Sequence, residues 1–321
     1  MGIARPTARE IYLSDHRLSK RSEIEQEDCE KKFFSRVRLK NRVFKTTYSR
    51  RLDDVNQTLN SLLPRGAPVE LMDVAISSGI STQEWIDTLS GDSIDFQIVA
   101  GDLNIYAYLL TFSKNLEILV DRSGYPIHFD IFDQGTELSL IKIIPRPISS
   151  LIKKLISRLL KLDAPLAHYM SGDIAENASR FGLRCIPITL VSPRLCKHAR
   201  LEIIEDDIVS NQSPNLAKRF HAIRAANILN KGYFGRNEIR SILINLRQRL
   251  RQGGLLCVCR TLKNNQTNGT IFSLNERGCF QVMERIGEGS EIEEEVLSLR
   301  EGELANQSLA CSFKLESSWP A

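Results

Sequence analysis

Hydrophobic positions along this chain fall into two rhythms. Up to residue 65 they recur every three or four places, as helices require. "SEIEQEDCEKKFFSRVRL" has an acidic first half and a basic second half, which suits a helix dipole. "RRLDDVNQTLNSLLPRG" sets Leu52, Val55, Leu59 and Leu62 on one stripe and ends at Pro64 and Gly66. From residue 67 the rhythm becomes strand, helix, strand. "PVELMDVAI" and "IDFQIVAGD" are apolar, β-branched runs expected of strands buried on both faces. "STQEWIDTLSG" between them predicts a helix with Ser81 or Thr82 as its cap.

The pattern resumes late in the chain. "DIAENASRFG" predicts a helix closed by Gly182, and "ARLEIIEDDI" a strand ending in acids. "RFHAIRAANIL" reads as a strand, "RNEIRSILINLRQRLRQGG" as a helix, "LLCVCRT" as a strand, and "GTIFSLNERGCFQVMERIG" as a hairpin turning at Arg277-Gly278. Alternation of this kind predicts an α/β fold. Its seven-stranded sheet is doubly wound and mostly parallel, with helices on both faces and a terminal antiparallel hairpin supplying an edge strand. Residues 115 to 165 break the rhythm and read as an insertion. It holds a hairpin with Ser123-Gly124 in its turn and an amphipathic helix over 148 to 162. The expected organisation is a helical, basic N-terminal extension over 1 to 65, an α/β domain over 66 to 290 carrying the insertion, and an acidic, polar tail over 291 to 321.

Composition changes this picture little. Hydrophobic residues make up 42% and charged residues 26%, as in a globular protein with a real core. A net charge of +4 does not argue for nucleic acid. The nine Lys or Arg between Lys31 and Arg51 are expected to form a solvated helix face rather than a nucleic-acid arm. The seven cysteines lack metal-site spacing, and reduced thiols in a cytoplasmic protein are expected. No apolar run is long enough to span a membrane, and the N-terminus lacks the pattern of a signal peptide. The 148 to 162 helix is expected to pack on the sheet, to cover a greasy substrate, or to make a peripheral membrane or protein contact.

Candidate chemistry lies at the carboxyl ends of the strands, where doubly wound sheets bind ligands. "MDVAISSGIST" supplies small residues for close backbone approach. Asp102 follows 23 residues after Gly79, near the spacing of a ribose-binding acid. Asp206 and Asp207 end the third strand. Asp73, at the end of the first, suits a ligand carrying an ammonium and a sulfonium better than one carrying phosphates.

On these residues the chain resembles the class I S-adenosylmethionine-dependent methyltransferases over roughly residues 67 to 290. The family's acid and three alternating glycines fall on Asp73, Ala75, Ser77 and Gly79, so two glycines are replaced by small residues. Its fourth-strand segment is closest to the chemotaxis-receptor type, with Asn227 at the matching polar position and His221 where an aspartate is usual. The resemblance implies S-adenosyl-L-methionine as cofactor. It would be held by Asp73, Ala75, Ser77, Ser78, Gly79, Thr82, Asp102, Leu103, Asn104, Asp206 or Asp207, Ile208 and Asn227. Tyr233 and Phe234 are candidates for the wall of the methyl-transfer pocket, or for the core. No general base stands out, and "AANILN" replaces the signature of enzymes that methylate nucleic-acid amines. O-methylation of a small or apolar molecule, or of a carboxylate, is therefore expected. The rivals are a non-catalytic scaffold that binds a partner and an NAD-linked reductase.

Overall fold

The computed structural model describes residues 6–13, 22–40, 44–45, 49–113, 115–131, 134–136, 174–180, 182–210 and 212–299. The expected helix over 148 to 162 and the tail beyond 299 lie outside them. The chain divides into two compact units.

One unit comprises Ser49–Ile76, Ser81–Leu103 and the chain from Ala199 onward. Its sheet contains β1 (Val69–Val74), β2 (Phe96–Asp102), β8 (Leu201–Glu205), β9 (Phe220–Ala226), β10 (Leu250–Thr261), β11 (Thr267–Leu274) and β12 (Phe280–Ile286). The order is β12-β11-β10-β9-β1-β2-β8. The five strands from β10 to β8 run parallel, whereas β11 is antiparallel to both its neighbours. The reversed strand is thus one place in from the edge, not at it, because β10, β11 and β12 follow one another as a meander.

Side-chain alternation loads the two faces differently. Met72, Val74, Ile223, Ala225, Leu256 and Val258 pack with Ile239, Ile242, Leu243 and Leu246 of the helix Arg236–Arg249 (α6) in one apolar cluster. Ile292, Val296 and Leu299 join it, so the short helix Glu293–Leu297 (α7) belongs to the core rather than to an acidic tail. The opposite face carries a polar row. Asp73, Arg224 and Cys257 are direct neighbours on β1, β9 and β10. Helices α3 (Asp53–Ser61) and α4 (Ile80–Gly91) serve that face through Asn56, Asn60 and Trp85. Helices cover both faces, as the alternation of elements requires.

The other unit comprises residues 1–48, Ser77–Ile80 and Asn104–His198. Its sheet has the order β6-β5-β4-β3-β7 and is antiparallel throughout. The strands are β3 (Tyr106–Ser113), β4 (Leu116–Asp121), β5 (Pro126–Ile131), β6 (Gln134–Thr136) and β7 (Arg184–Thr189). The hairpin turning through Ser123-Gly124 is β4–β5, inside this larger sheet. One face is covered by α1 (Ala8–Tyr12) and α2 (Glu23–Phe34), whose Ala8, Ile11, Cys29, Phe33 and Phe34 pack on Ala107, Leu109, Leu119 and Ile127. Ile174 and Ala178 of α5 (Ile174–Arg180) pack on Leu110, Ile118, Val120 and Phe129 of the other.

The expected extension over 1 to 65 therefore divides. Its described residues between 6 and 45 belong to this second unit, where α1 and α2 form the layer, and α3 belongs to the first. The inserted sheet also starts at Tyr106 rather than near 115, because the apolar run "IYAYLLTF" forms a strand directly after the end of β2. Among the described residues no helix is long and apolar enough to cross a membrane.

Candidate functional site

Chain connections of the first unit diverge at the middle of its sheet. From β1 the chain goes outward on one side to β2 and β8, and on the other side it later builds β9 and β10. The carboxyl end of β1, beside β9, is the switch point at which an open α/β sheet binds ligands. Both strands leave it through left-handed backbone at residues that are not glycine: Ala75 at φ 57° and Asn227 at φ 61°. Strain of this kind concentrates at functional sites.

The expected site residues of this unit take different parts. Asp102 ends β2 and is 8% exposed, while Leu103 beside it is 56% exposed. Asp73 is buried, and its carboxylate accepts from Arg224 Nε at 3.1 Å, Arg224 Nη2 at 2.6 Å and Thr82 Oγ1 at 2.8 Å. The Arg224 guanidinium also donates to Asn56 Oδ1 at 2.5 Å and to the Ser81 carbonyl at 2.9 Å, and it stacks on Trp85. Burial disfavours the charged guanidinium, but Asp73 outweighs that and raises its pKa further. The charge of Asp73 is thus matched inside the sheet, which removes the electrostatic reason for preferring an ammonium ligand over a phosphate.

Asp206 is likewise buried and takes two hydrogen bonds from Arg249, at 2.6 and 2.9 Å. Asp207 caps the following turn, accepting from Val209 N at 3.0 Å and Ser210 Oγ at 2.7 Å. Ile208 is in the apolar core. Asn227 ties β9 to β10: its Oδ1 accepts from Thr261 N at 2.7 Å, and its own N–H donates to the Cys259 carbonyl. Phe234 packs on the core, whereas Tyr233 is 59% exposed. Ser81 and Thr82 lie within the first turn of α4 rather than capping it, since the helix already starts at Ile80.

Cys257 and Cys259 share one face of β10, as their alternate spacing predicts, and both are buried. The hydrogen bond to Cys259, together with burial, pushes the Cys257 thiol well above its ordinary value, so Cys257 is held as a thiol. His221 accepts the Glu70 backbone N–H at 3.0 Å, a structural part.

Ser77, Ser78 and Gly79 follow β1 in the chain and belong to the second unit, as does Asn104, which is half-buried. Ser77 has φ 58° and Gly79 φ 81°. A Cβ on Gly79 would overlap Leu195 Cδ2, so the close approach this glycine permits is to a leucine of its own unit. Ser78 is fully buried, and among the described residues its hydroxyl has no partner. Its carbonyl accepts from Ser192 N at 2.8 Å.

Sequence reasoning missed Arg224 and Arg249. The signal available was a charged residue inside an otherwise apolar strand pattern, "FHAIRAA", which only a partner on the adjacent strand makes tolerable.

No protein-family model matches the chain, and no curated protein matches it. Among solved structures it is similar to the CurJ carbon methyltransferase, with 12% identity, a TM-score of 0.32, and 67% of this chain and 35% of that one covered. It is similar to the N-methyltransferase NodS from Bradyrhizobium japonicum, solved with S-adenosylhomocysteine, at 12% identity and a TM-score of 0.29, covering 65% of each chain. It is also similar to SpnF, a [4+2]-cyclase, at 13% identity and a TM-score of 0.29, covering 65% of this chain and 44% of that one. In each case the chain spans less than two thirds of the matched structure's length. Likenesses of this strength assign no activity.

Proposed function

We propose that this chain binds S-adenosyl-L-methionine and transfers its methyl group to a small acceptor. The observation that carries the reading is the pair Asp102 and Leu103 at the end of β2, beside the switch point at β1 and β9. A carboxylate there can take two vicinal ribose hydroxyls, and an exposed leucine next to it offers an apolar surface for the adenine ring. Asp207 is the more open of the two later acids, and the exposed Tyr233 is positioned in the chain just after β9.

The transferred group arrives activated on the cofactor, so the protein's work is to position the acceptor and exclude water. The expected O-acceptor or carboxylate remains part of this proposal. Titration calorimetry with S-adenosylhomocysteine tests it. Binding by the native chain, weakened at least about tenfold by Asp102→Ala, is expected for a lost bidentate contact. Absence of binding would sink the reading.

One observation favours a second reading, a non-catalytic scaffold on this fold. Asp73 and Asp206, two of the acids the family turns toward its cofactor, are both matched by buried arginines. A chain that binds neither S-adenosylhomocysteine nor NAD would support it, and selective NAD binding would instead favour a reductase.

A further inference from the structure

His221, on β9 of the first unit, is satisfied at one ring nitrogen and opposed at the other. Its Nδ1 accepts the Glu70 amide N–H at 3.0 Å, so the proton of the neutral ring belongs to Nε2. Burial and the charge of Arg251 hold the imidazole below its ordinary pKa, and at neutral pH the ring is uncharged. Yet Arg251 Nη1 lies 2.5 Å from Nε2. A guanidinium has only donors. Two N–H groups therefore meet head-on, and neither offers a lone pair. An acceptor placed between them satisfies both, and Arg251 is exposed, so its long stem can swing aside to admit one.

Arg251 also lines a cavity of about 570 Å³ at the amino ends of β9 and β10, with Lys218, Gln252, Ser273 and Glu276. All of these residues belong to the same unit. Lys218 is exposed, and among the described residues its ammonium has no hydrogen bond or ion pair. The neighbouring acids do not fill the gap. Glu70 and Glu202 both pair with Arg219, at 3.0 and 3.4 Å, and Glu276 makes no ion pair among the described residues. Two positive charges and a neutral N–H suit a phosphoryl group, with its three terminal oxygens, better than a carboxylate with two. The cavity is large enough for a small molecule bearing that group.

We infer that Arg251, Lys218 and His221 form a binding site for a phosphoryl group. It is separate from the proposed cofactor site: His221 and Asn227 stand at opposite ends of β9, roughly 20 Å apart along the strand. The inference does not rest on the adenosyl-cofactor reading.

The test is NMR of the imidazole nitrogens in the full-length chain at neutral pH and constant ionic strength, with His221 assigned by its loss in His221→Gln. Without ligand, Nε2 is expected to carry the proton and Nδ1 to accept. Inorganic phosphate, glycerol 3-phosphate and acetate are then titrated. Both phosphates should shift Nε2 saturably, with acetate at least about tenfold weaker. Tighter binding of glycerol 3-phosphate would identify an organic phosphate as the ligand, and equal binding free phosphate. Lys218→Met and Arg251→Met should each weaken phosphate binding about tenfold or more, and Arg236→Met, exposed on α6 outside the cavity, should not. An unprotonated Nε2 in the ligand-free chain would overturn the inference, since Arg251 would then simply donate to it. So would an absent or non-saturating shift, acetate binding as tightly as phosphate, or native affinity in Arg251→Met. Phosphate binding seen only in Glu276→Gln would overturn it as well, because Glu276 would then be the acceptor. If Arg251→Met does not fold, the affinity of Lys218→Met decides.

Discussion

A guanidinium and a carboxylate on adjacent parallel strands, both out of reach of solvent, set the chemistry at the heart of the first unit. Arg224 donates four hydrogen bonds, to Asp73, Asn56 and the Ser81 carbonyl. Removing one partner of such a pair leaves an uncompensated buried charge, at a cost of about 3–5 kcal/mol, whereas replacing both by apolar groups is often near neutral. Asp73→Asn and Arg224→Met should therefore each lower the midpoint of urea unfolding strongly. The double variant should recover much of the loss. If Asp73 acted on a ligand alone, Asp73→Asn would leave unfolding unchanged and affect binding only. This pairing is what the sequence hid. Small residues after a strand and an acid after the next strand are visible as letters. Whether an acid faces a ligand or an arginine 151 positions away depends on strand pairing, which no local window carries.

At the scale of elements most of the pattern was legible. The strands β1, β2, β8, β9, β10, β11 and β12 lie where the apolar runs predict, and so do α2, α3, α4, α5 and α6. What failed was partition. A continuous apolar strand such as β3 looks like any other buried run, and nothing in it announces a second sheet. Within that sheet, α1 is fastened to β3 and β4 by Arg9, which pairs with Glu117 and reaches Thr111. Burial would raise the pKa of Glu117. The hydrogen bonds from Arg9 and Thr111, and the attraction of Arg9 and Arg184, outweigh burial and hold it below the ordinary glutamate value of 4.5. A carboxyl depressed in the folded state stabilises that state fully above its unfolded pKa and loses the contribution as pH falls through the folded one. The difference in melting temperature between the native chain and Glu117→Gln should accordingly be largest near about pH 6 and shrink toward about pH 3. A difference independent of pH would show that packing, not ionisation, gives Glu117 its worth.

For the molecule as a whole, the first 48 residues are the least expendable part that the sequence makes look optional. Phe33 and Phe34 are fully buried against the second unit's sheet, with Phe33 edge-on to His128 at 5.0 Å between centroids. Burying one such aromatic ring contributes about 1.5–3 kcal/mol. Deleting residues 1 to 34 should expose that sheet face. The truncated chain should bind a hydrophobic dye and aggregate, with loss of protection at β4 and β5. A soluble, monomeric truncation with native exchange would contradict the layer assignment.

The strand order has one more consequence, for how the chain is made. β1 pairs on one side with β2, the next strand in the chain, but on the other with β9, whose Arg224 lies 151 positions beyond Asp73. During synthesis that flank of β1 has no strand to pair with until most of the chain has left the ribosome. Contacts of such long range close slowly, and an unpaired apolar strand edge is aggregation-prone while it waits. Slowing elongation after β9 should therefore help little, whereas slowing it between β2 and β8 lengthens the exposure of β1.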